Sequence, residues 1–470
     1  MKRFFAASSD CLTRRKFVLG VSVAVSAMCS RKALGAETVT RLVAKPGLMQ
    51  LTPKQYPATE IWGYGGTVPG TSIRVRQGAR VRRDFFNLLP QASSIHWHGI
   101  RIENSMDGVA GVTQEPVGAG QRFRYDFAVP DAGTYFYHPH NRTFEQMARG
   151  LYGPLIVEEK EGAPDVDRDE VLMLDDWRLT QDAQIAGRFG AMHDLSHAGR
   201  IGNWITVNGQ GEWTARAGHF SRLRLRLINT ANARIFTLKT QGMEGWIVAL
   251  DGMPLDVPER LDQLILAPSQ RADLIVDIVG DEGGEARLVS MERDGGFVVG
   301  SIAIRGAERP KRLDAPKALP PNPVPALGPL TSAQTVGLLM EGGARGRMRR
   351  ATLAGKELDI RQLVLQGKAW AFNGVAGMSE TPLLQAARGE TVRIRMRNDT
   401  AWPHAMHLHG HHFRVIGEGE ETGPLRDTVL MESRQTTEIA FVADNPGDWL
   451  IHCHMLEHSA AGMMTWLKVS

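Results

Sequence analysis

The sequence predicts an all-β chain of three consecutive β-sandwich or barrel domains behind an N-terminal export signal. Three observations predict it. One strand pattern occurs three times at domain-sized intervals. Gly and Pro are frequent, 50 and 24 of 470 residues, which suits short strands joined by tight turns. The first 36 residues carry the charge and hydropathy of an address, not of a folded element.

The N-terminus comes first. Arg14 and Arg15 precede an apolar stretch that runs to about Met28, and Arg31, Lys32 and the small residues Ala33 to Ala36 follow. This reads as a twin-arginine signal peptide over residues 1–36, which predicts a periplasmic protein and names the twin-arginine export machinery as a partner. A generic signal or signal anchor is the alternative, but the apolar core is short for a membrane span. That route exports folded proteins, often with a cofactor bound. Removing residues 1–36 leaves 48 basic against 50 acidic residues, so the formal net charge of +4 becomes −2. A nucleic-acid partner is therefore not expected, and the run Arg345 to Arg350 reads as a short solvated loop. No later apolar run approaches a membrane span. Of the three cysteines, Cys11 and Cys29 leave with the signal, so Cys453 remains without an intramolecular disulfide partner.

The repeat comes next. Val81–Asn87, Leu223–Asn229 and Val392–Asn398 each alternate like a strand and end in Asn. Gln121, Gln270 and Gln435 each open a second alternating strand. The Asn positions are 142 and 169 residues apart and the Gln positions 149 and 165, so two echoes recur in one order. Seven prolines between Arg305 and Leu330 mark an extended linker. The expected organisation is a signal over 1–36, domains over 37–160 and 161–306, a linker over 307–330, and a third domain over 331–470.

The 15 histidines are unevenly placed. Two His-x-His pairs lie in the first domain, His96/His98 and His138/His140, and eight histidines lie from His404 to His458. On a strand, residues i and i+2 face the same way, so each pair delivers two imidazoles to one place. Imidazole is a favoured ligand of copper, zinc and iron. His96 lies nine residues after Asn87 and His407 nine after Asn398; the same offsets in the middle repeat meet Leu238 and Thr240. Gly133 and Gly447 each stand five residues before a further His-x-His pair. Four pairs, His96/His98, His138/His140, His407/His409 and His452/His454, therefore converge from the first and last domains only. Cys453 faces the opposite way from His452 and His454. With His404, His458 and Met463 it makes a thiolate, imidazole and thioether set, the donor chemistry of a blue-copper electron-transfer site.

These motifs resemble the signature of the multicopper oxidases, and most nearly the bacterial laccase-like type with three cupredoxin-like Greek-key domains. The resemblance covers essentially the whole mature chain. It implies four copper ions: a type 1 ion at His404, Cys453, His458 and Met463, a type 2 ion at His96 and His407, and a type 3 pair at His98, His138, His140, His409, His452 and His454. It also implies single-electron transfer from a small reducing substrate, through the His458 edge to Cys453 and on to the cluster, where dioxygen becomes water. Phenols, aromatic amines and low-valent metal ions are the donor classes. An axial Met resembles members of lower to intermediate potential. Asp107 looks like an acid that the family places near the cluster, for proton delivery or for tuning the type 2 site; an Asp-Gly turn with Gly108 is the other reading. Some bacterial members have an acid where Ser459 stands here, so that proton route is in doubt.

Five other histidines have plainer readings: His219 is structural, His411 and His412 pack beside the third motif, and His193 and His197 share either a helical face or a loop. Scattered methionines argue against a dedicated cuprous oxidase. A copper nitrite reductase and a ligand-poor scaffold are opposed by the complete motifs. A periplasmic copper-tolerance protein, binding copper or oxidising cuprous ion, is the alternative function.

Overall fold

The computed structural model describes residues 40–293 and 295–470. The expected signal peptide, with Cys11 and Cys29, lies outside the described residues. Three two-sheet sandwiches follow one another. In the first, strands Thr59–Tyr64, Thr40–Met49, Arg80–Asn87 and Arg122–Ala128 form one sheet, and Ile73–Arg76, Gly153–Glu158, Gly133–His138 and His96–His98 form the other. The middle and last sandwiches each pair a six-stranded sheet with a five-stranded one. These are the all-β, cupredoxin-like layers that the alternating sequence predicts.

The repeated strands occupy equivalent places. Arg80–Asn87, Arg222–Asn229 and Thr391–Asn398 each run parallel to one neighbour and antiparallel to the other. Their alternation explains this in the last copy: Val392, Ile394 and Met396 are buried, while Arg395 and Arg397 reach solvent. The middle strand is buried along its whole length. Its arginines are accommodated because each guanidinium meets carboxylate: Arg222 at Asp277 (2.6 Å), Arg224 at Asp273 (2.6 Å) and Glu159 (2.8 Å), and Arg226 at Asp169 (2.7 Å).

The two sequence echoes meet in space. Asn87 N–H donates to the Gln121 carbonyl at 3.0 Å, Asn229 to Gln270 at 3.1 Å, and Asn398 to Gln435 at 2.9 Å. Each Asn side chain then donates to two loop carbonyls and accepts one N–H two residues on. Each Gln accepts an N–H three residues back. One device thus pins the loop after each key strand. That loop leads to the His positions in the outer sandwiches.

Residues 308–329 carry no helix or strand. They are fastened to the first two sandwiches: Asn322 exchanges bonds with Ala132 at 2.8 Å and Arg101 donates to the Pro323 carbonyl at 3.0 Å in the first, and Arg222 of the middle one donates to the Asp314 carbonyl at 2.7 Å. Among the described residues no helix is long and apolar enough to cross a membrane.

Candidate metal centres

Strand pairing aligns the histidines. His96 lies directly opposite His138 on neighbouring strands. In the last sandwich, strand His404–Leu408 sets His407 opposite His452 and Met406 opposite Cys453. The middle sandwich has Leu238 at the corresponding place, buried and paired with Leu264 and Ser290.

The outer sandwiches bring their imidazoles together face to face. The His96 ring stacks on His409 at 4.0 Å and the His98 ring on His407 at 3.8 Å. His138 lies 5.2 Å from His454 and His140 5.3 Å from His452, centroid to centroid. All eight histidines of the four pairs therefore share one cavity. Ring nitrogens of His96, His98 and His138 lie within 4.8 Å of one another, as do those of His96, His407 and His409, and of His140, His409 and His452.

The rings are held from behind. Nδ1 of His96, His138, His407 and His452 each reaches a backbone carbonyl, of Asp107 (2.8 Å), Pro139 (2.9 Å), Asp427 (2.9 Å) and Cys453 (3.0 Å). His409 Nδ1 donates to Asp107 Oδ2 at 2.9 Å. Such tethers fix Nδ1 as the N–H and leave Nε2 as a lone pair. Nε2 of His96, His140 and His407, and both nitrogens of His454, are buried with no hydrogen-bond partner. Burial, reinforced by the neighbouring imidazoles, holds His98, His138, His140, His409, His452 and His454 well below their usual range, so these rings are neutral. A cavity of neutral imidazoles with inward lone pairs fits bound copper.

Two buried carboxylates buttress this cavity. Asp107 reaches His96 Nδ1 (3.1 Å) and His409 Nδ1 (2.9 Å), so it touches one histidine of each outer sandwich. The next residue must be glycine, because Gly108 has φ +80° and a Cβ there would strike the Ile95 carbonyl. Asp427 was not evident from sequence. Its Oδ1 lies 3.4 Å from both His98 Nε2 and His407 Nδ1, and Arg271 of the middle sandwich grips it through two bonds, 2.6 and 2.9 Å. Burial alone raises this carboxyl, but the Arg271 charge outweighs it and holds Asp427 well below the carboxylate range.

A second donor set lies across the strand. Cys453 Sγ is 3.6 Å from His404 Nδ1 and 3.8 Å from His458 Nδ1, and the two Nδ1 atoms are 3.1 Å apart. His404 Nε2 is bonded to Thr400 Oγ1 at 2.9 Å, and His458 Nε2 donates to the His197 carbonyl at 2.6 Å, so both Nδ1 lone pairs face the sulfur. Met463 is fully buried, and its carbonyl accepts the Cys453 N–H at 3.1 Å. Burial pushes the Cys453 thiol up to about 12. A thiolate there therefore requires a cation beside it, as a thiolate-bound copper supplies. His458 is completely buried, and the edge expected to meet the donor is covered by the His197 carbonyl.

The remaining histidines divide. His219 Nδ1 bonds the Gly280 carbonyl and His411 packs on Phe441 and Trp449, both structural. His412 is buried with its Nε2 3.7 Å from Asp427 Oδ2. His193 lies in the short helix Met192–Ser196 and His197 caps its C-terminus, with the two rings stacked at 4.2 Å. Glu457 is buried and tied to Asn232 Nδ2 (2.9 Å) and the Arg200 N–H (3.2 Å) of the middle sandwich. A cavity of about 300 Å³, bordered by Phe144, Met378 and Met464, reaches His140 and His452.

Two family models described as multicopper oxidase match this chain, over residues 47–162 and 354–470. The chain is 28% identical to multicopper oxidase MmcO of Mycobacterium tuberculosis, over 95% of this chain and 90% of that protein. Among solved structures, Lac15 from a marine microbial metagenome is 41% identical, with TM-score 0.75, covering 92% of this chain and 100% of that one. The multi-copper oxidase from Pseudomonas thermotolerans is 31% identical, with TM-score 0.78, covering 92% and 98%.

Proposed function

Because this chain belongs to the multicopper oxidase family, and is a copper-dependent oxidase that passes single electrons from a reducing substrate to dioxygen, we propose how its own residues divide that work. His404, Cys453, His458 and Met463 hold the type 1 ion. His96 and His407 hold the type 2 ion, and His98, His138, His140, His409, His452 and His454 hold the type 3 pair. The copper ions, when bound, supply the one-electron redox chemistry and the site at which dioxygen is reduced to water.

The observation that carries this reading is the segment His452-Cys453-His454. Its alternating side chains serve both donor sets, so the two are joined through a few covalent bonds. The tethered Nδ1 atoms of His96, His138, His407 and His452 orient their rings before any ion arrives, which lowers the ordering cost of binding. Asp107 holds His96 and His409 in register across the sandwich boundary, and we assign it the role of tuning the type 2 site and assisting proton delivery. Asp427 does the same for His98 and His407. The dry surroundings of Cys453 exclude water from the thiolate.

The export signal supports a periplasmic location reached through the twin-arginine machinery, and the domain limits 37–160, 161–306 and 331–470 with a linker over 307–330 complete the reading. Donors are small reducing substrates: phenols, aromatic amines or low-valent metal ions.

The test is copper loading of the purified protein, followed by oxygen uptake with a diphenol, an aromatic amine, Cu(I), Mn(II) and Fe(II). Oxygen uptake with at least one donor is expected. Blue colour without uptake from any donor overturns the oxidase reading. Cys453→Ser should abolish the blue absorption while leaving copper at the cluster; persistence of the colour removes Cys453 from the type 1 set.

A further inference from the structure

The outer side of His458 is covered by a surface that the middle and last sandwiches build together. His458 is completely buried and its outer nitrogen is bonded to the His197 carbonyl at 2.6 Å. The group nearest to solvent on that path is the His193/His197 pair. His193 has 78% of its side chain exposed, and the two rings lie parallel within 12°. Trp402 stands 5.4 Å from His197, so two flat imidazoles and an indole edge form one aromatic face.

A basic loop is fastened to this face. Ala344 N–H donates to the Ser196 carbonyl at 2.6 Å, and Trp402 Nε1 donates to the Ala344 carbonyl at 2.9 Å. The chain continues directly into Arg345, Arg347 and Arg349, all exposed. Among the described residues none of these three is paired with a carboxylate, whereas Arg350 is engaged by Glu357 at 2.7 Å. The acid beside His193 does not balance them, because Asp194 is buried and bound by Arg178 at 2.7 Å. The face is therefore aromatic and net positive. Guanidinium forks suit planar carboxylates, and the stacked rings suit an aromatic ring.

We propose that this face is the donor site, and that it selects phenols bearing an anionic group, such as hydroxybenzoates, over neutral phenols and over metal cations. The inference rests on the type 1 assignment above. A docked phenol loses one electron and its hydroxyl proton to become a phenoxyl radical. The electron passes by way of the His197 carbonyl and the His458 ring, the proton enters solvent, and four such events with one dioxygen yield two waters.

The test compares 4-hydroxy-3,5-dimethoxybenzoate with 2,6-dimethoxyphenol, which has the same ring without the carboxylate. The wild-type holoenzyme should show a higher kcat/KM for the acid, and that preference should shrink with added salt. In Arg345→Glu/Arg347→Glu the acid-to-neutral ratio of kcat/KM should fall by about tenfold, chiefly through KM. Calorimetric binding of 3,4,5-trimethoxybenzoate, which lacks the phenol hydroxyl, should weaken in parallel. An unchanged ratio, a salt-independent preference, or unchanged binding of trimethoxybenzoate overturns the proposal. If dimethoxyphenol still drives oxygen uptake in a blue wild-type enzyme, that failure concerns this face alone; a colourless enzyme inert to every donor defeats the type 1 assignment instead.

Discussion

The outer sandwiches and the middle one share a fold and a loop-pinning device, yet they put them to different ends. In the outer two, the pinned loop leads into His-x-His strands whose rings meet across the boundary. In the middle one, the same register holds Leu238, which packs into its own core. The middle sandwich supplies fasteners in place of ligands. Arg271 grips Asp427 behind His407, Arg226 reaches Thr134 of the first sandwich at 3.0 Å, and the His197 carbonyl holds His458. The difference teaches that ligand positions and ligand supports can sit on separate surfaces of one architecture: a repeat without a His-x-His pair still determines where the paired imidazoles point.

The sharpest way to break this division is Arg271→Leu. It leaves Asp427 as a fully buried carboxylate without its cation, for which the cost is about 3–5 kcal/mol. The melting temperature should fall, and copper should be lost from the cluster while the blue absorption of the Cys453 site survives. Metal analysis with visible absorption reads both at once. Adding Asp427→Asn in the same chain should recover part of the stability, since it removes the stranded charge. Loss of the blue absorption in parallel with cluster copper would mean that the middle sandwich does not support the two sets separately.

Much of this was legible in the sequence, and the reason is geometric. A strand repeats every two residues, so His96/His98 or His452/His454 declare a shared face without any structure, and Cys453 declares the other. The offsets from Asn87 and Asn398 work because those residues anchor the loops that follow. Asp427 was not legible. It stands in no spaced motif, and its importance comes from Arg271, 156 residues away in the chain. The covering of His458 was hidden for a different reason: the partner is a main-chain carbonyl, and every residue has one. The pair His193 and His197 was visible as i and i+4, but only the fold shows that its helix lies over the His458 edge.

A milder perturbation sharpens the similarity between the sandwiches. Asn87→Ala, Asn229→Ala and Asn398→Ala each strand two loop carbonyls and one N–H that are bonded in all three copies. A group left dry and buried costs about 1–3 kcal/mol, but in each copy at least one of these bonds is only partly buried and open to water, so the whole loss is about 1–3 kcal/mol. Hydrogen exchange, read sandwich by sandwich, should show a comparable loss of protection in the copy that is altered. Only Asn87→Ala and Asn398→Ala should also weaken copper binding, because only their loops lead to histidines. Copper loss in Asn229→Ala as great as in the other two would erase the distinction.

The smallest expected effect concerns a buried acid that has no cation. Asp175 of the middle sandwich accepts from Tyr152 Oη at 2.7 Å and from the Asp176 N–H at 2.8 Å. Arg234 pairs with Asp176 at 2.9 Å, and no ion pair with Asp175 occurs among the described residues. Burial, with the Asp176 charge beside it, raises the Asp175 carboxyl well above its ordinary value. The folded state therefore prefers the protonated acid. Its contribution to stability is complete below the unfolded value of about 3.9 and is lost as pH rises towards the folded one. Asp175→Asn keeps the shape and an acceptor for Tyr152 but removes the titration. The variant should melt a few degrees above wild type at pH 8, and that gain should shrink as pH falls towards 5. The Arg226–Asp169 pair at the other end of the same strand acts as an internal control, because partial burial raises the Asp169 carboxyl but Arg226 outweighs it and holds it below the ordinary value, so Asp169→Asn should give the opposite sign. A gain for Asp175→Asn that is the same at both pH values would show that shape and packing, not the missing cation, separate this carboxylate from those that carry one.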